Sequence, residues 1–303
     1  MLSVFRDAAK DFSEDDCPMM ASSLSYYTVF SLPPLLLIIV TVAGFVFEAA
    51  TVQQQVIGQA EQMIGPAAAA QIDTMLEKAS EDAAGGGWAM ILSIGALVFA
   101  ATGVFVQLQA ALNRVWEVMP DPEQGGVLNF FTKRLLSFGM ILGIAFLLLV
   151  SLAVTAAAAA MTDRLGNLLP GNASEIVVQV VNFLVSFVVI TLLFAAIFKW
   201  MPDAEIQWRD VWLGAATTSL FFEIGKLLIG LYLGNSNTSD TYGAAGALAI
   251  IMLWVCYASM ILLFGAELTQ AWAARSGRRI EPDEDAVRVI EQERQVRSAE
   301  RHS

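Results

Sequence analysis

Residues 176–198 read "IVVQVVNFLVSFVVITLLFAAIF", 23 positions without a single charge. Such a run can be the middle of a large soluble core. It can also be a helix that crosses the ~30 Å hydrocarbon layer of a bilayer, for which about 20 apolar residues suffice. Composition decides between them. Hydrophobic residues make up 56% of the 303 and charged residues 15%, whereas an ordinary soluble domain carries about 25% charge. Mean hydropathy is +0.61. A soluble chain of this length would have to hide all that apolar surface, and a membrane protein need not.

Five further stretches have the same character, at roughly 26–47, 88–112, 135–160, 211–233 and 244–270. The run at 135–160, "LLSFGMILGIAFLLLVSLAVTAAAAA", also lacks any charge. In lipid every backbone N–H and C=O must be satisfied within its own segment, which a helix does. These runs are too long and continuous for barrel strands. The expected fold is therefore all-α: a polytopic membrane domain of six transmembrane helices over 1–275, then a charged tail over 276–303. The acid-rich opening "MLSVFRDAAKDFSEDDCPMM" does not have the form of a cleavable leader. Leu2, Phe5, Ala9 and Phe12 in it share a helical face, which fits a short helix lying on the membrane or packing on the bundle. Cys17 and Cys256 fall at different depths, so small apolar fillers are the expected role and a disulfide is not.

Six spans place both termini on one side. Lys and Arg then divide fourteen to two between the terminal side and the other, with Lys226 inside a span. The bias of such charges toward the cytoplasm makes that side the inner one. Trp116, Trp200, Trp208, Trp212 and Trp272 also fall near it, at the level where indole rings favour the interface. Both termini are therefore expected to be cytoplasmic. Net charge is −12, and no basic footprint for nucleic acid is present.

The longest outer segment is 48–87. Val52, Val56, Ala60 and Met63 share one face, Pro66 interrupts, and Ile72, Met75, Leu76 and Ala79 resume the pattern. Two amphipathic helices joined at the proline are expected. They could cap the bundle or rest on the headgroups. The tail alternates in charge and is expected to form a solvated helix from about Asp283, with a disordered end.

Two features inside the spans invite a functional reading. Pro33 and Pro34 each remove a backbone donor and clash with the preceding turn. A kink or break near Phe30 to Leu32 is expected, framing a cavity or serving only as a packing bend. Glu223 and Lys226 stand at i and i+3 in the fifth span and share a face. An unpaired charge at that depth costs at least ~2.5–3.5 kcal/mol. The pair should therefore face the bundle interior, as part of a polar cavity for a charged solute or headgroup or as a structural lock. Glu267 lies near the inner surface, where Arg114, Lys133 or Arg134 could clamp it. The small residues Gly139 with Gly143, Gly230 with Gly234, and Gly243 to Ala247 mark close helix contacts.

Several chemistries lack their residues. The only histidine is His302, so a histidine triad or zinc-activated water is not expected. No GxxxxGK[ST] or GxSxG stretch occurs, and no two aspartates share the spans. Neither a metal nor a cofactor is expected, and the chain does not read as an enzyme.

"ASSLSYYTVFSLPPLLLIIV", "ALNRVW" and "YGAAGALAIIMLWVCYASMILLFGAELTQAW" resemble the first, second and last spans of the YihY/BrkB family of bacterial inner-membrane proteins, once given the name ribonuclease BN. The resemblance covers about residues 5–275 and implies six helices with cytoplasmic ends. It implies transport or lipid translocation linked to envelope integrity, and no catalytic residue. Cys256 stands where the family more often has an aromatic. By position, Tyr26, Tyr27, Lys226, Tyr242, Gly243 and Glu267 match the family pattern. Tyr26, Tyr27 and Tyr242 thereby join Glu223 and Lys226 as cavity candidates. A nuclease is not expected, because clustered His and Asp ligands are missing. The reading is a transporter or flippase-like protein whose partners are membrane lipids and a small amphipathic or anionic solute, with a homo-oligomer open. The alternative is an envelope-assembly scaffold that holds partners through the outer helices and tail.

Overall fold

The structure, a computed structural model, describes residues 2–44, 48–83, 88–121, 173–234, 238–278, 280–283 and 285–289. Eight helices account for most of them. They are α1 (Leu2–Glu14), α2 (Cys17–Ala43), α3 (Ala49–Ile64), α4 (Pro66–Ala83), α5 (Trp88–Val115), α6 (Ala173–Trp200), α7 (Trp208–Gly234) and α8 (Thr238–Arg275). Among the described residues, four stretches are long and apolar enough to cross a bilayer: Cys17–Thr41, Phe183–Trp200, Trp208–Leu228 and Ala245–Arg275. Helix α5 covers the span predicted at 88–112. The span predicted at 135–160 lies outside the described residues, with Gly139, Gly143, Lys133 and Arg134.

Surface character agrees with lipid contact. On α6, Val180, Phe183, Leu184, Val188 and Leu192 form one exposed stripe, and on α7 Ile224, Leu227 and Leu228 are exposed. Water would penalise so continuous an apolar face, and acyl chains do not.

Helix α2 begins nine residues before the predicted span. Asp16, with φ of 55°, turns the chain out of α1, and Pro18 sits in the first turn, where a missing N–H costs nothing. The helix then runs unbroken through Pro33 and Pro34, so the expected break is not seen. Ser31 beside them is buried, with its Oγ near Gly103 of α5. Helix α1 packs on the bundle, and its buried face is Val4 and Ala8 with Phe5 and Phe12 against Leu268 and Phe264 of α8. Ala9 is exposed, one position off the predicted face.

Helices α3 and α4 form the expected amphipathic pair. Gly65, at φ 83°, ends α3, and Pro66 opens α4 with its φ already set for a helix. Ile64, Ala68 and Ile72 pack on Ala247, Ile250, Ile251 and Trp254 of α8. Val52 and Leu76 pack on Val40 of α2. The pair therefore caps the bundle.

At the opposite pole, α1 and the tail segment meet the neighbouring ends of α2, α5, α6, α7 and α8. The helix expected from Asp283 is instead extended. Strand β1 (Val118–Pro120) pairs antiparallel with β4 (Ala286–Arg288), and β2 (Ala204–Glu205) pairs with β3 (Glu281–Pro282). The run Val287, Arg288, Val289 alternates apolar and charged, which suits a strand paired along one edge. Arg278 grips Asp210 with two guanidinium N–H groups, and that hydrogen-bonded carboxylate holds the guanidinium charge more firmly, raising its pKa. Trp116 is 2% exposed and packs edge-on to Phe198. It belongs to the core and not to the interfacial belt. Trp200, Trp208 and Trp212 keep that belt position.

Candidate functional site

Helix α7 leaves the terminal pole at Trp208 and carries Glu223 and Lys226 about 22–27 Å along its axis, at ~1.5 Å per residue. Lys226 Nζ lies 2.8 Å from Glu223 Oε2. The other carboxylate oxygen, Oε1, accepts a hydrogen bond from Ser186 Oγ of α6 at 2.8 Å. Both oxygens are therefore satisfied between two helices, by one cation and one hydroxyl. The Glu223 side chain is 9% exposed and that of Lys226 29%, so the carboxylate is inside and the lysine side chain is partly exposed. Charge-assisted bonds of this length are strong. The i, i+3 spacing made the pair legible in the sequence. Ser186 was not, because its partner lies 37 residues away.

The remaining cavity candidates do not gather around this pair. Tyr26 and Tyr27 are 55% and 44% exposed on α2; Tyr26 meets Tyr27 edge-on and Phe30 at a tilt. Helix α2 packs chiefly on α5 and α8, and α7 on α6 and α8, so α8 stands between. Tyr242 falls in the first turns of α8, and its side chain lies outside the described residues, as do those of Gly230, Gly234 and Gly243.

Glu267 and Arg114 form an indirect clamp. Arg114 Nε is 3.8 Å from Asp15 Oδ1, and Asp15 also interacts with Glu267. Glu267 is fully buried. Its Oε1 accepts from the Cys17 thiol at 3.5 Å, and among the described residues its Oε2 has no hydrogen-bond partner. The expected direct salt bridge thus gives way to a buried carboxyl, a thiol and a bridging Asp15. Cys17 is more than filler, and Cys17 and Cys256 are both free thiols. Burial lifts the nearby Asp11 carboxyl above its ordinary pKa, Lys10 opposes the shift, and Glu14 and Asp7 add to it.

A second polar hub had no signal in the sequence. Asp203, in the turn between α6 and α7, accepts from Gln109 Nε2 at 3.0 Å and from Asn113 Nδ2 at 2.7 Å. Its own N–H donates to Asn113 Oδ1 at 2.9 Å. Asp283 N–H of the tail donates to its carbonyl at 3.1 Å. One residue thereby ties α5, the α6–α7 turn and the tail together.

Helices α7 and α8 cross where Gly214 faces Gly265. A Cβ at Gly265 would lie 1.8 Å from Thr218 Oγ1, and one at Gly214 would lie 2.3 Å from the Gly265 carbonyl. Thr218 and Thr269 donate to the Gly214 and Gly265 carbonyls at 2.9 Å each. This crossing is a small-residue contact placed elsewhere than the glycine pairs singled out in the sequence. It holds α7, and with it the ion pair, against the centre of the bundle.

Known proteins extend the picture. A protein named UPF0761 membrane protein from Rhodospirillum centenum is 27% identical over 294 residues, covering 93% of this chain and 61% of that relative. One of the same name from Alkalilimnicola ehrlichii is 30% identical over 278 residues, covering 89% of this chain and 58% of the relative. One from Pseudomonas aeruginosa is 26% identical over 300 residues, covering 96% and 69%. The chain spans less than two thirds of the length of the first two. No solved structure matches the chain. A model of the family described as virulence factor BrkB matches residues 8–289; that match runs from α1 through every described span to the last strand, and this membrane protein belongs to that family.

Proposed function

We propose that the protein translocates a lipid or another small amphipathic anion, with Lys226 as the attractive charge and Glu223 as its resting counter-ion. One observation carries this reading. Glu223 is fully satisfied inside the α6–α7 seam, while Lys226 keeps 29% of its side chain exposed. A lysine that shares its charge with one carboxylate and stays partly exposed can exchange that carboxylate for a substrate phosphate or carboxylate. A purely structural lock gains nothing from that exposure. The scaffold alternative has less support, because α3, α4 and residues 281–289 spend their contact surfaces on the bundle itself.

The test is movement of fluorescent anionic lipid across vesicles holding the purified protein. Lys226→Met should reduce the rate at least tenfold, and Glu223→Gln should change it in either direction by several-fold. Unchanged rates in both variants, with helix content retained, would end the assignment.

The inner membrane, with both termini cytoplasmic, is part of the same proposal and rests on the fourteen-to-two distribution of Lys and Arg. A fluorescent protein that matures only in the cytoplasm, fused after Ser303, should light up. A dark, full-length fusion would reverse the orientation.

A further inference from the structure

Across the six apolar runs at 26–47, 88–112, 135–160, 176–198, 211–233 and 244–270, the only charged residues are Glu223, Lys226 and Glu267. Glu267 belongs to the terminal pole, where Cys17 and Asp15 meet it. At the depth of the ion pair the runs therefore supply one cation and one anion, a net charge of zero. None of the other runs brings a second cation to a ligand that carries more than one negative charge.

The anion of the pair is fixed and the cation is not. Glu223 Oε1 is tied to Ser186 Oγ of α6 at 2.8 Å, and its side chain is 9% exposed. A carboxylate held on one oxygen by the neighbouring helix stays in place when its other partner leaves. Lys226 has one charged partner among the described residues, Glu223 Oε2, and its ammonium is carried on a flexible four-carbon stem. The hydroxyls close by are engaged. Ser186 is bound to Glu223, and Tyr257 of α8, whose ring lies against Gly225, donates to the Phe221 carbonyl at 2.8 Å. An anion that takes hold of Lys226 thus remains beside the Glu223 carboxylate. A headgroup with one charge leaves the site at −1. A headgroup with two leaves it at −2, in surroundings that screen charge poorly. Like charges set side by side exclude the wrong ligand.

Resting on the translocation reading, we infer that Glu223 is a specificity-determining residue, which makes the site select lipids whose headgroup has a single negative charge. A phosphodiester meets that condition, whereas a phosphate monoester carries about −1.5 to −2 at pH 7 and is rejected. Ser186 is the positioning residue, because it keeps the carboxylate where the second charge would come. The ligand is a lipid because Ile224, Leu227 and Leu228, on the same turns of α7, are exposed and offer acyl chains an apolar surface.

Phosphatidic acid and its methyl ester, phosphatidylmethanol, differ at pH 8 by one methyl group and one charge. Each is labelled with dansyl on an acyl chain and doped at rising mole fraction into phosphatidylcholine nanodiscs that hold the full chain. Energy transfer from the tryptophans reads binding, and the part displaced by excess unlabelled phosphatidylmethanol belongs to the site. In the unaltered protein phosphatidylmethanol should half-saturate that part at about tenfold lower mole fraction than phosphatidic acid. Glu223→Gln keeps an acceptor for Ser186 and removes the charge, so the preference should fall to about threefold or less. Ser186→Ala should place it between. The comparison of the two lipids in the unaltered protein holds even where a variant fails to fold. Equal half-saturation by the two lipids, or a preference that survives Glu223→Gln, with Lys226→Met weakening both, would overturn the selectivity and leave the translocation reading standing. Displaceable binding that persists unchanged in Lys226→Met would overturn both.

Discussion

Gly214→Ala is expected to lower the stability of the detergent-purified protein by about 3 kcal/mol, the upper end of the overpacking range. Alanine gains about 1 kcal/mol of helix propensity over glycine, so the clash has to exceed that gain, and the geometry says it does. The added Cβ would lie 2.0 Å from Thr269 Oγ1 and 2.3 Å from the Gly265 carbonyl oxygen. A side-chain oxygen can rotate away. A backbone carbonyl in the middle of α8 cannot, so the two helices must separate. Gly265→Ala behaves differently, because its closest neighbour is Thr218 Oγ1 at 1.8 Å and its backbone neighbour, Gly214 O, is 3.1 Å away. Thr218→Ala should therefore restore most of the stability lost in Gly265→Ala, while Thr269→Ala should restore little in Gly214→Ala. Thermal unfolding of the four variants checks both statements. Full rescue of Gly214→Ala by Thr269→Ala would mean that the backbones are not in contact at this crossing.

Lys226→Met should destabilise the protein more than the loss of both charges does. With Lys226 gone, the Glu223 carboxylate keeps only the Ser186 hydroxyl, at 2.8 Å. Stranding one member of a fully buried pair costs about 3–5 kcal/mol. The pair is only partly enclosed, with 29% of the Lys226 side chain exposed, so the expected cost lies at the low end, about 3 kcal/mol. In the double variant Glu223→Gln with Lys226→Met, the amide still accepts from Ser186 and no charge is left in the membrane, so stability should return to within about 1 kcal/mol of the parent. Urea or dodecyl sulfate titration of the parent, both single variants and the double variant gives the coupling directly. Additive losses would mean that the two side chains do not depend on each other. The double variant also separates the two roles assigned to the pair, since a folded protein with both charges removed and transport abolished isolates function from stability.

Much of the architecture was open to reading before any coordinates. Charge-free runs of more than twenty residues admit one conformation in lipid, because only a helix satisfies its own backbone there. The Glu223–Lys226 pair was visible for a related reason: two charges at helical spacing in such a run must meet or be very costly. The 3.6-residue period likewise revealed α3 and α4.

Other features were closed to that kind of reading. On α1 the expected face holds at Phe5 and Phe12, which pack on α8, but Val4 and Ala8 are the buried contact and Ala9 is exposed. The prolines in α2 suggested a kink or break, and the helix, packed on α5 and α8, runs through them without a break. The tail's alternating charges suggested a helix, but strand partners at 118–120 and 204–205 were available to pair it. Arg114 found Asp15 and Glu267 found Cys17, because helix ends that meet at one pole choose partners by position.

The sequence by itself determined that this chain lives in a membrane as a set of helices and that one of them carries an ion pair at depth, since desolvation acts on each segment regardless of its neighbours. Only the tertiary structure decided that Ser186 completes that pair, that Gly214 meets Gly265, and that Asp203 ties the pole together. Those contacts join residues that are far apart in the chain, and the local period that reveals a helix holds no information about which helix it will touch.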